Sequence, residues 1–110
     1  MLNRSALILR PGPSFIEWCL SLDDSGLAPS PDDEQTVYLI PDWGDEVEAL
    51  EILSNGFGEI FERELDGWCT DESTWPKNRT FAMFREWFII EFHSVVEDLC
   101  AYPIEDDEFH

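Results

Sequence analysis

The chain has 110 residues and a mass of 12.8 kDa, so a single domain is expected. It sets 25 Asp and Glu against 6 Lys and Arg, for a formal net charge of -19, yet 44% of it is hydrophobic and 14% aromatic. This excludes an acidic disordered chain, which is poor in large apolar groups, a membrane-spanning helix, which needs roughly 18 consecutive apolar residues, and direct nucleic-acid binding by phosphate neutralisation.

Ala6 to Arg10 is apolar and partly β-branched, and Pro11-Gly12-Pro13 stops it. It predicts a first strand buried on both faces. Ser14-Phe15-Ile16-Glu17 has capping-box spacing, with Pro13 in the preceding turn. A helix to about Leu22 follows, with Phe15, Ile16, Cys19 and Leu20 inward. The segment Asp23–Gln35 carries five acidic residues, two Pro and one Gly, and is a solvated loop. Thr36 to Ile40 predicts a second strand, ended by Pro41.

Asp45 to Trp68 is helical in pattern. Val47, Leu50, Leu53, Phe57, Ile60, Phe61, Leu65 and Trp68 recur at spacings of three and four. Asp45 stands three residues before Glu48 as a cap, and acids crowd the first turn, where they suit the helix dipole. Gly56 and Gly58 make a kink or a division into two helices as reasonable as one rod. Cys69 to Arg79 is a loop, and Thr80 caps a short helix through Trp87. Phe88 to Leu99 reads two ways. As a strand it alternates Phe88, Ile90, Phe92 with Ile89, Glu91, His93. As a helix it stripes Phe88, Phe92, Val95, Val96, Leu99. The strand is preferred because a third strand makes the sheet independently stable. The expected fold is a two-layer α+β domain over residues 1–102, in the order β-α-β-α-α-β, covered mainly by the Asp45–Trp68 helix. It becomes mostly α if 88–99 is helical. Residues 103–110 are expected to form a frayed acidic tail.

Three cysteines, Cys19, Cys69 and Cys100, are odd in number and hold no CxxC pair. They read as reduced thiols packed as small hydrophobes. The apolar run before Arg10, Ala6 to Leu9, is only four residues long, short of the roughly 7–15 of a signal peptide. The expectation is a cytoplasmic protein with no membrane association.

Charge placement is the most distinctive feature. From Pro11 through Glu62 there are 13 acids and no Lys or Arg, and from Glu86 to the end eight acids and none. Such a field speeds encounter with basic partners, although simple solubility explains it as well. Glu48 with Glu51, and Glu59 with Glu62, share helix faces. A nucleic-acid mimic would use such a row, and so would any solvated helix.

The cations cluster at Lys77, Arg79 and Arg85. With Trp75 they suggest a docking patch, since Trp and Arg are typical interface anchors. The structural alternative packs Trp75 on the core and bridges Arg79 to nearby carboxylates. Glu91 and His93 project from one face of a strand and are the weak candidates for a metal site or small hydrolase, with Cys100 as a conceivable nucleophile. No HExxH, EF-hand, Walker or GxSxG string is present. No cofactor and no catalytic residue are expected.

The set Pro13-x-Phe15-x-x-Trp18, Thr36-Val37-Tyr38-Leu39-Ile40-Pro41, Ile60-Phe61, Leu65-x-x-Trp68, Trp75-Pro76-x-x-Arg79-Thr80 and Phe84-x-x-Trp87-Phe88 resembles a family of small acidic bacterial proteins of unknown function. The resemblance covers nearly the whole chain. It implies a bacterial cytoplasmic protein and supplies no activity. The function expected is a non-catalytic protein-interaction module meeting a basic partner. The alternatives are the enzyme built on Glu91 and His93, a nucleic-acid mimic, and a self-associating structural protein.

Overall fold

The computed structural model describes residues 4–30 and 35–104. The acidic stretch 105–108, His110, the chain start and part of the first loop lie outside the described residues. The elements are β1 (Arg4–Pro11), α1 (Pro13–Ser21), β2 (Thr36–Pro41), α2 (Glu46–Trp68), a single 3-10 turn (Glu72–Thr74), α3 (Phe81–Trp87) and β3 (Phe88–His93). This is the expected α+β order.

The sheet is fully antiparallel, with β1 between β2 and β3. Leu7 faces Tyr38 on one side and Phe92 on the other, while Ala6 faces Leu39 and His93. Alternation therefore sends Ser5, Leu7 and Leu9 to the helices, all with 1% exposure or less. Ala6, Ile8 and Arg10 look outward. The expectation that β1 is buried on both faces fails here. Ala6 is buried, but Ile8 is only half-buried, and neighbouring Val37, Leu39 and Ile89 are exposed. One helical layer covers one face only. The Ser5 hydroxyl donates to Asp42 Oδ1 at 3.1 Å and ties β1 to the chain after β2.

The start of α1 corrects a second expectation. Gly12 is the N-cap, Pro13 is the first helical residue, and no side chain caps the end. Proline's fixed φ and missing N–H suit that first position, so the helix begins before Ser14 can act as a cap. Gly12 N–H instead donates to Trp87 O at 2.8 Å. A Cβ on Gly12 would lie 2.8 Å from the same oxygen, so only glycine permits this approach of the β1–α1 corner to the α3–β3 junction. Trp18, not Leu20, joins Phe15 and Cys19 in the core: residues 15, 18 and 19 share one stripe of the helix, and that stripe faces the other elements, whereas Leu20 is 44% exposed.

Helix α2 is one continuous rod through Gly56 and Gly58. Asp45 caps it by accepting from Glu48 N–H at 2.9 Å. Its buried positions are Ala49, Leu53, Phe61 and Leu65, while Val47 is 74% exposed and Trp68 39%. Phe61 sits at the centre of the molecule, its ring 5.6 Å from Phe84, 5.5 Å from Trp87 and 5.4 Å from Phe88. Thr80 caps α3 by accepting from Met83 N–H, as its position predicts. The strand reading of Phe88 onward holds to His93, where the ladder with β1 ends. Residues 94–104 follow without regular structure. No helix among the described residues is long and apolar enough to cross a membrane.

Candidate functional site

The two longer helices end side by side, and a groove runs across their C-terminal ends. It has two chambers that share Leu27 and Trp68. The larger, about 540 Å3, is walled by Pro11, Phe15, Leu27, Trp68 and Phe88. Among the described residues, its only ionisable lining side chain is Glu64 on α2. Glu64 Oε2 accepts from the Tyr38 hydroxyl at 2.9 Å and from the Thr36 hydroxyl at 3.2 Å. Burial pushes the Glu64 carboxyl above its usual range, against these two hydrogen bonds. Burial also raises the Tyr38 phenol, aided by the neighbouring carboxylate.

The second chamber, about 390 Å3, is lined by Cys19 and Leu22 at the end of α1, Trp68 and Cys69 at the end of α2, and the acids Asp23 and Asp71. Hydrogen bonds from Ser25 hold Asp23 below the ordinary carboxylate range, and those from Ser73 do the same for Asp71. Both stay ionised at neutral pH. Neither helix has a basic residue in its last turn. Each helix end contributes a partial negative charge of about half an electron, and no Lys, Arg or His lines either chamber among the described residues. The groove is an apolar slot continuous with a cation-attracting one.

Its floor is held by two tryptophans. Trp18 Nε1 donates to Thr74 O at 2.9 Å, and Trp75 Nε1 donates to Cys69 O at 2.8 Å. These bonds satisfy buried indoles and fix the 69–75 loop against α1. Trp75 is thus part of the core. Arg79 reaches Glu62 at 2.7 Å and Pro76 O at 2.9 Å, with its guanidinium 6.0 Å from the Trp75 ring centre. Lys77 is exposed, and the Arg85 guanidinium lies 5.8 Å from the Phe81 ring centre. Arg79 packs with Trp75, as the structural reading of that string has it, while Arg85 lies against Phe81 on α3.

Glu91 and His93 do come together on the outer face of β3. His93 Nε2 is 3.2 Å from Glu91 Oε2, and Arg10 binds Glu91 Oε1 at 2.9 Å. Glu91 is engaged at both oxygens. Among the described residues, no three His, Cys, Asp or Glu side chains gather as a metal site. Of the helix-face acids, Glu59 pairs with Arg63 at 3.2 Å and Glu62 with Arg79. Cys19 is buried and its thiol is pushed up to about 12 by burial, so it stays protonated. Cys100 is exposed, unlike the packed role expected for it.

Sequence reasoning passed over Glu64, one of 25 acids on an ordinary helix face. The local signal was Tyr38, a phenol on the inner side of a strand, which needs a partner once buried. Comparison with models of protein families, with curated proteins and with solved structures finds no match.

Proposed function

We propose that this protein is a non-catalytic interaction module that takes a basic, partly apolar segment of a partner protein into the groove at the ends of α1 and α2. The observation that carries the reading is the pairing of the two chambers. An apolar side chain fits the slot beside Trp68 and Phe15, while a lysine or arginine a few residues away meets Asp23, Asp71 and two uncompensated helix ends. The overall charge of -19 draws such a partner in from a distance. Cytoplasmic location, and kinship with small acidic bacterial proteins of unknown function, belong to the same proposal. They rest on the cysteine usage and on the Trp-Pro-x-x-Arg-Thr and Phe-x-x-Trp-Phe strings.

The test is a titration of 15N-labelled protein with a short peptide of Leu and Lys residues, against a Leu and Glu peptide of equal length. Saturable shifts at Leu27, Glu64, Trp68 and Cys69 are expected with the basic peptide alone. They should weaken with salt and with Asp23→Asn plus Asp71→Asn. No shift at these positions, or equal shifts with the acidic peptide, overturns the proposal.

A further inference from the structure

Glu64 and Trp68 stand four residues apart on α2, so both project from one face of the helix, a turn from each other. Both line the larger chamber. Each carries a polar atom that the fold leaves free. Glu64 Oε2 accepts from both Tyr38 and Thr36, which holds the carboxyl in place. Its other oxygen, Oε1, has no hydrogen-bond or ion-pair partner among the described residues, and it is not sealed from solvent. The Trp68 indole N–H likewise has no acceptor among the described residues, whereas the indoles of Trp18 and Trp75 in the floor are both bonded.

A charged acceptor, a neutral donor and an apolar slot therefore share one cavity of about 540 Å3. Burial raises the Glu64 carboxyl, and among the described residues no cation lines the chamber to offset that cost. An ammonium ion placed beside the carboxyl favours its ionised form and makes the stronger, charge-assisted kind of hydrogen bond. The first residue of a polypeptide presents the three matching groups together. Its α-ammonium and side chain leave the same carbon, and its carbonyl is attached to that carbon too. A lysine side chain brings an ammonium on a thin stem with no carbonyl beside it. An internal residue brings a carbonyl and a side chain, but only a neutral N–H.

We propose that the larger chamber receives the free N-terminus of the partner chain: the α-ammonium donates to Glu64 Oε1, the first carbonyl accepts from Trp68 Nε1–H, and a large apolar first side chain fills the slot walled by Phe15, Leu27 and Phe88. This rests on the reading of the groove given above and names the part of the partner that enters it. The chain then runs past Leu27 and Trp68, which the two chambers share, and brings a following lysine or arginine to Asp23 and Asp71. A mostly apolar pocket with a few placed polar groups is the usual form of a selective site, the polar groups fixing the orientation of what enters.

The test is calorimetric titration of the full chain with the amidated peptide Phe-Ser-Lys-Ser-Lys, either free or acetylated at its N-terminus. The free form should bind roughly ten- to a hundredfold more tightly, the range of one hydrogen bond to a charged group. Glu64→Gln keeps an oxygen for Tyr38 and Thr36 but loses the charge, and should remove most of that difference; circular dichroism checks that the variant is folded. Trp68→Phe keeps a ring without the N–H and should weaken both forms roughly two- to tenfold. Asp23→Asn plus Asp71→Asn should weaken both forms alike and leave their ratio intact. Equal binding of the two forms, or a ratio that Glu64→Gln does not change, overturns the N-terminal assignment and leaves the reading of the groove as a site for a basic segment standing. Unchanged binding to Trp68→Phe overturns it too, as does 2-phenylethylamine binding as tightly as the peptide, because a free amine needs no chain. Absence of binding by either peptide overturns both readings.

Discussion

Replacing Phe61 by Ala removes the ring on which the two layers meet. Phe61 has no exposure, and three further rings approach it within 5.4–5.6 Å. The loss combines the transfer free energy of a buried ring with the cavity left among Phe84, Trp87 and Phe88. Such truncations cost about 3–5 kcal/mol. A domain of this size has about 5–15 kcal/mol in total, so roughly a fifth or more of the stability should vanish. Urea unfolding followed by circular dichroism reads this as a lower midpoint at unchanged slope. The control is Val47→Ala. Both residues sit on the same sequence stripe, but Val47 is 74% exposed, so its loss should stay within about 0.5 kcal/mol. A Phe61→Ala cost below about 1 kcal/mol, or a Val47→Ala cost equal to it, would refute the central position assigned to this ring.

Two glycine substitutions should act with opposite sign. Gly12→Ala drives a methyl against Trp87 O and should destabilise by about 1–3 kcal/mol, whereas Gly56→Ala meets open space on a helix and should stabilise by about 0.5–1 kcal/mol. Equal shifts in the two melting curves would contradict this. The Glu64 carboxyl titrates above its unfolded value, so the folded state holds the proton more tightly. Its contribution to stability is fully present below the unfolded pKa and is lost as pH rises from there through the folded pKa. Glu64→Gln should flatten that part of the stability-versus-pH curve, and an unchanged curve would count against a buried carboxyl here. Thiol labelling of native protein should modify Cys100 quickly and leave Cys19 untouched until unfolding. Rapid modification of Cys19 would mean that the core opens at little cost.

Local chemistry carried much of the architecture. Thr80 and Asp45 were legible as caps because a hydroxyl or carboxylate ahead of an apolar run has one obvious backbone donor to accept from. The strand at Phe88 was chosen over a helix on the need for a third strand, and it pairs with β1 accordingly. The same reasoning failed at Ser14, where a capping box was displaced by Pro13 occupying the first helical position one residue earlier.

The strand character of Thr36–Ile40, the amphipathic period of α2 and the excess of acid are all properties of neighbours along the chain, and the amino-acid order alone determined them, whereas the burial of β1 on one face was decided by the packing. The packing decided which of Phe61 and Val47 lies inside, since both obey the same period and only the sheet's position distinguishes them. It also decided the groove. Glu64 and Tyr38 are 26 residues apart, and Asp23 and Asp71 come from separate loops. No local pattern records such distances, because convergence of remote residues is a consequence of how helices and strands stack, not of what each one prefers on its own.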